Sequence, residues 1–324
     1  MTIITTNLQY AIDDLQRGKP VAIPTETVYG LAALINNETG ISSVFAMKKR
    51  PLNHPLIVHV EKNEDLSKWV AYLPDYAKTL MQVFWPGPLT LVFRAKEDRF
   101  HPLITAGQNT VAIRSPDHPL TQELLKLLEV PLVAPSANPF GKVSPTTAAH
   151  VQQSFPDQSL TILNGGRCQV GIESTIIDAT SEEGYAILRH GIINEKELMK
   201  VSSKLIDQPD NTIRVPGKLA SHYQPEKTLY YFSNKETLNA FCQQHSEQVF
   251  VIAQSKPSTV SHAHFSSFPH APQKAAYELY YQLREADLSD TSCIAIELPP
   301  DSVEWKGVVE RIRKAGVPFS VEEG

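Results

Sequence analysis

From residue 228 onward, strand-like and helix-like segments alternate along the chain. The predicted strands are 228–232, 248–253 and 293–297, and the predicted helices are 235–244, 272–286 and 303–315. Strands that alternate with helices indicate βαβ units, whose strands run parallel in one sheet. The pattern therefore predicts a small Rossmann-like parallel α/β domain. It contains no Gly-x-Gly-x-x-Gly, so no dinucleotide is assigned to it.

The first two thirds of the chain also mix helices and strands, but without regular alternation. The predicted helices are 7–17, 39–49, 74–84 and 119–128, and the predicted strands are 20–24, 56–60, 89–94, 111–114 and 132–134. This mixture predicts an α/β domain whose topology stays open. A polar stretch with little periodicity follows from residue 207. We therefore expect a first domain over 1–206, a linker over 207–227 and a second domain over 228–324.

Composition limits the class of protein. A chain of 324 residues with 42% hydrophobic and 20% charged residues is long and apolar enough for two globular domains. The net charge of -5 gives no global basic field for nucleic acid or an anionic membrane, although a local basic pocket is compatible with it. The cysteines, Cys168, Cys242 and Cys293, are widely spaced, as in a reducing compartment. With no signal-like start and no long apolar run, we expect a cytoplasmic protein without a membrane partner.

Two segments have the residue types that an anion site requires. Proline disfavours helix for the residue before it, so Arg50 is expected just past the end of the helix that carries Lys48. Its guanidinium suits bidentate phosphate or carboxylate binding. Ser136 and Asn138 flank Ala137 on a predicted tight turn, where backbone amides can approach a phosphate closely. The alternative for the first segment is a solvated basic helix end.

Polar residues at strand ends form further candidates. Thr27 follows a predicted strand, and Ser174 lies in a Glu-Ser-Thr segment; strand ends are common ligand sites in α/β folds, although a turn motif is an alternative. His59 alternates with apolar neighbours, a pattern that a structural histidine also shows. Arg114 and Arg189 each end an apolar run and could bind anions or form surface ion pairs.

Two helix and loop features complete the candidates. Ser144 is a possible N-cap of a helix starting near 144–147, and helix N-termini can also bind anions. His262 and His264 have a spacing that can ligate zinc, but without a nearby cysteine or acid, so 258–273 is predicted to be a solvated loop. The absence of Gly-x-Ser-x-Gly and His-Glu-x-x-His leaves hydrolase and metalloprotease functions unsupported.

Eight segments together carry a family resemblance. They are 24–31, 48–51, 55–60, 85–90, 111–114, 136–138, 171–176 and 188–191. In this order, and over about residues 8–195, they resemble the YrdC-like family. The rest of the chain resembles the extra domain of the long, two-domain threonylcarbamoyl-AMP synthases, with 216–225 similar to their interdomain linker. The resemblance implies a YrdC-like twisted-sheet catalytic domain followed by the smaller domain.

The resemblance also implies an activity. Members of this family join L-threonine, bicarbonate or CO2, and ATP to give L-threonylcarbamoyladenylate and pyrophosphate, for the threonylcarbamoyl modification of tRNA adenosine next to the anticodon. Mg²⁺ is expected on the ATP phosphates, without a metal site of the protein itself. The product is expected to pass to the tRNA threonylcarbamoyl-transfer machinery, without stable nucleic-acid binding. A carbamoyl-transfer module and an RNA-binding module of the same fold family are the alternatives.

Site residues follow from the matching motifs. Lys48 and Arg50 are the expected catalytic residues. The expected ATP-binding residues are Arg50, His54, Thr110, Ala134, Ser136, Asn138, Ser144, Arg189, His222 and Tyr223. The expected L-threonine-binding residues are Thr27, His59, Arg114 and Ser174. The linker is predicted to lie over the cleft of the first domain, with His222 or Tyr223 touching the nucleotide; a plain tether is the alternative.

Overall fold

The structure is a computed structural model that describes residues 1–206, 210, 212–217, 222–245, 248–261 and 264–319. The chain divides into two compact units. The first unit is Met1–Phe140 with Ser144–Lys218, and the second is Gly141–Val143 with Leu219–Gly324. One boundary between the units falls inside the predicted linker, and two more flank residues 141–143, inside the predicted first domain. Among the described residues, none of the helices combines the length and apolar character needed to cross a membrane.

The first unit contains a large mixed sheet. Its strands are β1 (Ile3–Thr5), β2 (Val21–Ile23), β3 (Gly30–Leu34), β4 (Ile57–His59), β5 (Leu89–Arg94), β6 (Thr110–Arg114), β7 (Leu132–Val133), β8 (Thr161–Leu163), β9 (Thr175–Asp178) and β10 (Ala186–Arg189). Within the described residues these ten strands form one sheet in the order β1-β8-β2-β3-β7-β4-β6-β5-β9-β10. The pairs β4–β6 and β5–β9 are parallel, whereas β5–β6 and β3–β7 are antiparallel.

The helices of the first unit cover this sheet. They are α1 (Leu8–Gln16), α2 (Glu38–Lys48), α3 (Asp75–Phe84), α4 (Pro102–Thr105), α5 (Pro119–Leu128), α6 (Ala148–Ser154) and α7 (Glu195–Val201), with a 3-10 turn at Leu66–Lys68. The side chain of Asn37 caps α2 by accepting from Gly40 N, and Lys49 ends it in the left-handed region with φ 52°. As predicted, Arg50 therefore lies just past a helix end.

Strand alternation divides the core of the first unit between the two faces of the sheet. Val58 and Ile113 belong to the large core that includes residues of α2 and α3. Their strand neighbours Ile57 and Ala112 belong to a separate cluster with Ile176 and Leu188. Successive side chains of a strand point to opposite faces, so both faces of this sheet are covered.

The second unit is a parallel α/β layer. Its elements are β11 (Thr228–Phe232), α8 (Lys235–His245), β12 (Val249–Ala253), β13 (Phe265–Ser267), α9 (Pro272–Leu288), β14 (Cys293–Glu297), α10 (Lys306–Ala315) and β15 (Val317–Pro318). The strands have the order β13-β12-β14-β11-β15, and all described pairs are parallel. The parallel α/β prediction is confirmed, with α10 starting three residues later than expected.

The prediction of a solvated loop over 258–273 was wrong in part. Phe265–Ser267 form a strand that pairs in parallel with Val251–Ala253. Phe265 is partly buried against the core of this unit, and that contact favours a strand over a free loop. His264 Nε2 lies 2.8 Å from Asp290 Oδ1. His262 lies outside the described residues.

Residues 141–143 belong to the second unit, although the residues on either side of them belong to the first. Gln224 N donates to Gly141 O over 2.8 Å, and Arg284 Nη2 donates to Val143 O over 2.6 Å. Lys142 Nζ forms an ion pair of 2.7 Å with Glu226 Oε2. These contacts tie a three-residue segment of the early chain to α9 and to the segment that leads into β11.

Candidate active site

Arg114 is the centre of a buried cluster in the first unit. It ends β6 and is 4% exposed, which excludes the surface ion pair that the sequence left open. Its Nη1 donates to Thr27 Oγ1 over 2.9 Å, and its Nη2 lies 2.7 Å from Glu26 Oε2. His59, at the end of β4, is opposite Arg114 in the parallel register. The structure thus brings together three of the four residues of the predicted threonine site.

Ser174, the fourth residue, belongs to a neighbouring hydrogen-bonded group. Its Oγ lies 2.7 Å from Thr90 Oγ1. Arg189 donates to Ser174 O through Nε and Nη2, at 3.1 and 2.9 Å, and through Nη1 to Pro216 O at 3.1 Å. Arg189 is buried, so it too is not a surface ion pair.

Strand directions place both groups along one edge of the sheet. His59 and Arg114 end the parallel strands β4 and β6, and Leu89 and Thr175 are paired where the parallel strands β5 and β9 start. Because β5 is antiparallel to β6, the ends of β4 and β6 and the starts of β5 and β9 lie at the same ends of the strands, on one side of the sheet. The predicted amino-acid residues therefore line one side of the first unit.

Lys48 and Arg50 form a second buried cationic group. Lys48 is 1% exposed and Arg50 is 8% exposed, which excludes the solvated helix end. Lys48 Nζ donates to Ser136 O and Asn138 O. Arg50 Nη2 donates to Pro55 O over 2.8 Å. Lys48 therefore fixes the turn that was predicted to hold phosphate.

Two aromatic rings lie beside Arg50. The guanidinium carbon of Arg50 lies 5.6 Å from the centre of the Phe140 ring. The His54 ring meets the same ring edge-on, with 5.0 Å between the ring centres. Phe140 N donates to Lys48 O over 2.8 Å, which ties this aromatic group to the end of α2. His54 and Arg50, both predicted to bind ATP, thus lie together.

The pKa shifts of this second group reflect burial and positive charge. Burial, and then the charge of Arg50, holds the pKa of Lys48 well below its ordinary value. Burial lowers the pKa of His54, and the nearby charges of Arg50 and Arg214 lower it further. An anion that entered this region would be attracted by the same charges.

His59 is neutral at physiological pH. Burial is the main cause that lowers its pKa to about 3, and the Arg114 charge adds to the effect. Its Nδ1 lies 3.1 Å from Ile57 O, a contact that a purely structural histidine would also make. The imidazole can therefore bind a substrate through hydrogen bonds, without a charge of its own.

The loop that carries Thr27 also contacts the turn at residues 136–138, which is predicted to bind phosphate. Tyr29 N donates to Pro145 O over 2.9 Å, and Ala137 N donates to Tyr29 O over 2.8 Å. Thr25 Oγ1 closes the loop by donating to Val28 O over 2.7 Å. One loop thus contacts both the predicted amino-acid site and the turn of the predicted ATP site.

Thr110 and Ala134 are placed by the sheet itself. Thr110 is buried at the start of β6, and Ala134 follows β7. A Cβ atom added to Gly30 would lie 2.9 Å from the Cβ atom of Ala134, closer than such atoms approach. Glycine at 30 therefore lets β3 approach the segment that leads to Ser136, with which it forms a β-bridge.

The prediction that Ser144 caps a helix was wrong. The cap of α6 is Thr147, whose side chain accepts from His150 N, three residues later, over 3.1 Å. Ser144 lies too far from the helix start to reach its free N–H groups. Instead, Ser144 Oγ donates to Glu173 Oε1 over 2.6 Å, next to Ser174.

His222 and Tyr223 lie in the second unit. Their ring centres are 4.0 Å apart in an edge-on arrangement, and the Arg311 guanidinium carbon lies 5.4 Å from the centre of the Tyr223 ring. His222 N donates to Lys314 O over 3.0 Å. Of the predicted lid, residues 207–209, 211 and 218–221 lie outside the described residues. The assignment of His222 and Tyr223 to ATP stays a prediction.

Sequence reasoning did not assign Glu26, Thr90 or Phe140 to the site. Glu26 stands inside the Thr-Glu-Thr segment, and Thr90 ends the segment 85–90 that resembled the family. Position within those motifs was therefore a usable signal for both. Phe140 follows Asn138 by two residues but belongs to no motif, so its contact with His54 required the structure.

The carboxylates near the site are already engaged by protein groups. Glu26 pairs with Arg114, and Glu173 accepts from Ser144. Within the described residues, no group of three or more histidine, cysteine, aspartate or glutamate side chains could hold a metal ion. Mg²⁺ bound through phosphates keeps several waters and needs few protein ligands, so the Mg²⁺ expected with ATP stays a prediction.

Comparisons with known proteins identify the family of the chain. A family model described as "Telomere recombination" matches residues 13–191, and one described as "Threonylcarbamoyl-AMP synthase, C-terminal domain" matches residues 191–316. The threonylcarbamoyl-AMP synthase of Bacillus subtilis is 35% identical over 93% of this chain and 90% of its own length. The chain belongs to the threonylcarbamoyl-AMP synthase family. The enzyme of the same name from Pyrococcus abyssi is 34% identical over 95% of this chain and 93% of its own.

A solved structure extends the likeness to the fold. The crystal structure of P. abyssi Sua5 complexed with L-threonine has a TM-score of 0.87 at 30% identity, covering 99% of this chain and 100% of that one. The family resemblance, in its long two-domain form, and the α/β fold class are confirmed. The family name is that of an enzyme, so the predicted enzyme class is confirmed as well. The roles of single residues stay predictions.

Proposed function

We propose that this member of the family forms L-threonylcarbamoyladenylate and pyrophosphate from L-threonine, bicarbonate or CO2, and ATP. One observation supports this most strongly: the first unit holds two buried cationic groups joined by a single loop. Arg114 lies in one group and Arg50 in the other, and residues 25–29 contact both regions. A reaction between an amino acid and a nucleotide needs two such anion sites close together.

In the amino-acid site, Arg114 would bind the carboxylate of threonine. Its guanidinium is held by Glu26 and Thr27, so its direction is fixed before the substrate arrives. The hydroxyl groups of Thr27 and Ser174, with the neutral ring of His59, supply hydrogen-bond partners for the β-hydroxyl and the amino group. A site with such groups selects for a hydroxyl, because an analogue without it leaves them unpaired.

In the nucleotide site, Arg50 would bind phosphate, and the turn held by Lys48 would present Ser136 and Asn138. Charge builds on the α-phosphoryl oxygens and on the departing pyrophosphate as the carboxylate of threonine N-carboxylate attacks the α-phosphorus. Fixed cations and donors stabilise that charge without reorganising during the reaction. No covalent enzyme intermediate is required. Mg²⁺ would arrive on the ATP phosphates and neutralise part of their charge.

A buried site also suits the intermediate. Threonine N-carboxylate is a weak nucleophile that readily loses CO2, so exclusion of water and close positioning favour its capture. The proposed product would pass, in the cytoplasm, to the machinery that transfers the threonylcarbamoyl group to tRNA adenosine next to the anticodon.

The direct test is a reconstituted reaction. Purified protein is incubated with ATP, Mg²⁺, labelled bicarbonate and each of several amino acids, and pyrophosphate and labelled adenylate are measured. Both products should appear with threonine. Filter binding of tRNA across a salt series tests the RNA-binding alternative: strong, salt-dependent binding without adenylate formation would replace the proposal.

A further inference from the structure

Residues 212–217, here called the strap, form part of the first unit. Ile213 is 5% exposed and Val215 is 4% exposed. Both join the apolar cluster of Ile57 and Ala112 on one face of the sheet. This part of the predicted linker is therefore packed against the strands that carry the candidate site, rather than forming a free tether.

Arg214 stands between these two buried side chains and is itself exposed. Its backbone is held at both polar groups by Gln108. Arg214 N donates to Gln108 Oε1 over 2.7 Å, and Gln108 Nε2 donates to Arg214 O over 3.2 Å. Its Nη2 donates to Ala106 O over 2.7 Å. Both the backbone and the guanidinium of Arg214 are thus anchored.

A short path of hydrogen bonds connects the Arg214 anchor to Arg50. Arg50 Nη2 donates to Pro55 O over 2.8 Å, and the next residue, Leu56, donates its N–H to Ile104 O over 2.8 Å. Ala106, which accepts from Arg214, follows Ile104 by two residues. The charges of Arg50 and Arg214 both lower the pKa of His54, so the two guanidinium groups act electrostatically on the same histidine.

The guanidinium of Arg214 is anchored by a backbone carbonyl. Within the part of the chain that the structure describes, no carboxylate lies within ion-pair distance of its guanidinium; the side-chain bond that it makes is to a backbone carbonyl. A fixed cation near a second cation is unfavourable unless an anion joins them. The guanidinium fork suits phosphate oxygens, and an arrangement of two arginines suits a polyphosphate.

We propose that Arg214 is a further substrate-binding residue, which contacts the β- and γ-phosphates of ATP. Arg50 is buried and Arg214 is exposed. The exposed residue therefore suits the end of the nucleotide that must leave as pyrophosphate. This inference rests on the proposed function, because that reaction supplies the triphosphate and its leaving group. Arg214 donates hydrogen bonds to the phosphates and takes part in no covalent step.

The test compares Arg214→Ala and Arg214→Lys with a matched control in the full-length protein. The control is Arg94→Ala, since Arg94 is also exposed and donates to a backbone carbonyl, Thr180 O, over 3.3 Å. Steady-state kinetics give KM for ATP, KM for threonine and the inhibition constant of inorganic pyrophosphate. Thermal unfolding of each variant reports on the packing of the strap.

For Arg214→Ala, KM for ATP and the pyrophosphate inhibition constant should both rise about tenfold or more, as for a lost hydrogen bond to a charged group. KM for threonine and the unfolding temperature should stay near those of the control. Arg214→Lys should recover part of the loss, because lysine keeps the charge without the fork. If KM for ATP and the pyrophosphate inhibition constant were the same for Arg214→Ala and Arg94→Ala, the proposal would be overturned. A joint rise of both KM values with lower thermal stability would assign Arg214 a structural role instead.

Calorimetric titration with inorganic pyrophosphate separates this inference from the proposed function. If the unmodified protein formed no adenylate, the proposed function would be wrong. The titration would still compare the pyrophosphate affinity of the unmodified protein with that of Arg214→Ala. An affinity that Arg214→Ala leaves unchanged would overturn the inference by itself.

Discussion

Glu26 and Arg114 form an ion pair inside the first unit, with 2.7 Å between Oε2 and Nη2 and side-chain exposures of 4% and 5%. Glu26 Oε2 also accepts from Asp117 N over 3.0 Å, so the carboxylate is anchored independently of the arginine. The pair therefore fixes the direction of a guanidinium whose Nη1 donates to Thr27. Glu26 positions Arg114 for the proposed carboxylate contact.

Removal of Glu26 should destabilise the protein, because the buried charge of Arg114 loses its partner. Glu26→Ala leaves Arg114 without its counter-ion, and such changes cost about 3–5 kcal/mol of unfolding free energy. Glu38→Ala is the control, because Glu38 is 76% exposed and its contact with His101 is long, at 3.6 Å. Chemical denaturation measures both. Similar losses for the two variants would contradict a special role for the buried pair.

Valine should be a poor substitute for threonine. The two are close in shape, but valine lacks the hydroxyl that Thr27, His59 or Ser174 would bind. We expect kcat/KM for valine to be at least about a hundredfold lower, because buried polar groups lose their partner. Pyrophosphate release with each amino acid measures the ratio. Equal turnover with valine would disprove hydroxyl recognition.

Arg50→Ala should slow adenylate formation with little effect on folding. Loss of one charge-assisted phosphate contact costs about 2–4 kcal/mol of transition-state stabilisation, or roughly thirtyfold to a thousandfold in rate. Lys49→Gly is the control, since Lys49 is exposed at the same helix end and its φ of 52° suits glycine. Circular dichroism checks folding. A rate for Arg50→Ala as high as that of the control would refute the assignment.

His59 should make stability depend on pH. The pKa of His59 in the folded protein is about 3, below its ordinary value of 6.5. The contribution of His59 to the free energy of unfolding is therefore complete above pH 6.5 and is lost as the pH falls toward 3. Between pH 7 and pH 5 this loss should be about 1–2 kcal/mol, and His59→Gln should remove it. The control is His270→Gln, at an exposed position. Denaturation curves at pH 7 and pH 5 measure this change in stability. If His59→Gln lost as much stability between the two pH values as the unmodified protein, the pH dependence would not come from His59.

The strap should contribute to the stability of the first unit. Ile213→Ala removes a side chain that is buried against the sheet and should cost about 2–4 kcal/mol. Ile206→Ala offers a matched control, because Ile206 is 40% exposed and lies in the same stretch of chain. Urea denaturation measures the difference. If both substitutions had the same small effect, residues 212–217 would be a loose tether after all.

Local signals determined how far the fold could be predicted. In the second unit, the runs that became β11 and β14 are apolar and bounded by polar residues, so their bounds matched closely. In the first unit, β3 (Gly30–Leu34) has five buried residues and no alternation, so no strand period marks it. Ile3 pairs with Thr161, although most of the sequence of this unit lies between them. Local sequence patterns contain no information on a contact between residues so far apart in the chain.

The site shows the same division between local and distant information. The end of α2 before Arg50 followed from proline sterics alone. The bonds from Lys48 to the turn at 136–138 join residues 88 and 90 positions apart, and required the structure. Ser144 was misassigned because serine, threonine and proline recur over 144–147, and a cap signal alone does not choose among them. Ile213 and Val215 lie in a polar stretch that resembled a linker, where two isolated apolar residues carry no period.

Residues 141–143 have a practical consequence for dissecting this protein. Because they belong to the second unit while Phe140 and Ser144 belong to the first, no single cut in the chain yields either unit with all of its own residues. An expression fragment that stops near residue 217 would keep these three residues but lose Arg284 and Gln224, their hydrogen-bonding partners. A redesigned loop between Phe140 and Ser144, independent of the missing helix, would be part of any stand-alone version of the first unit.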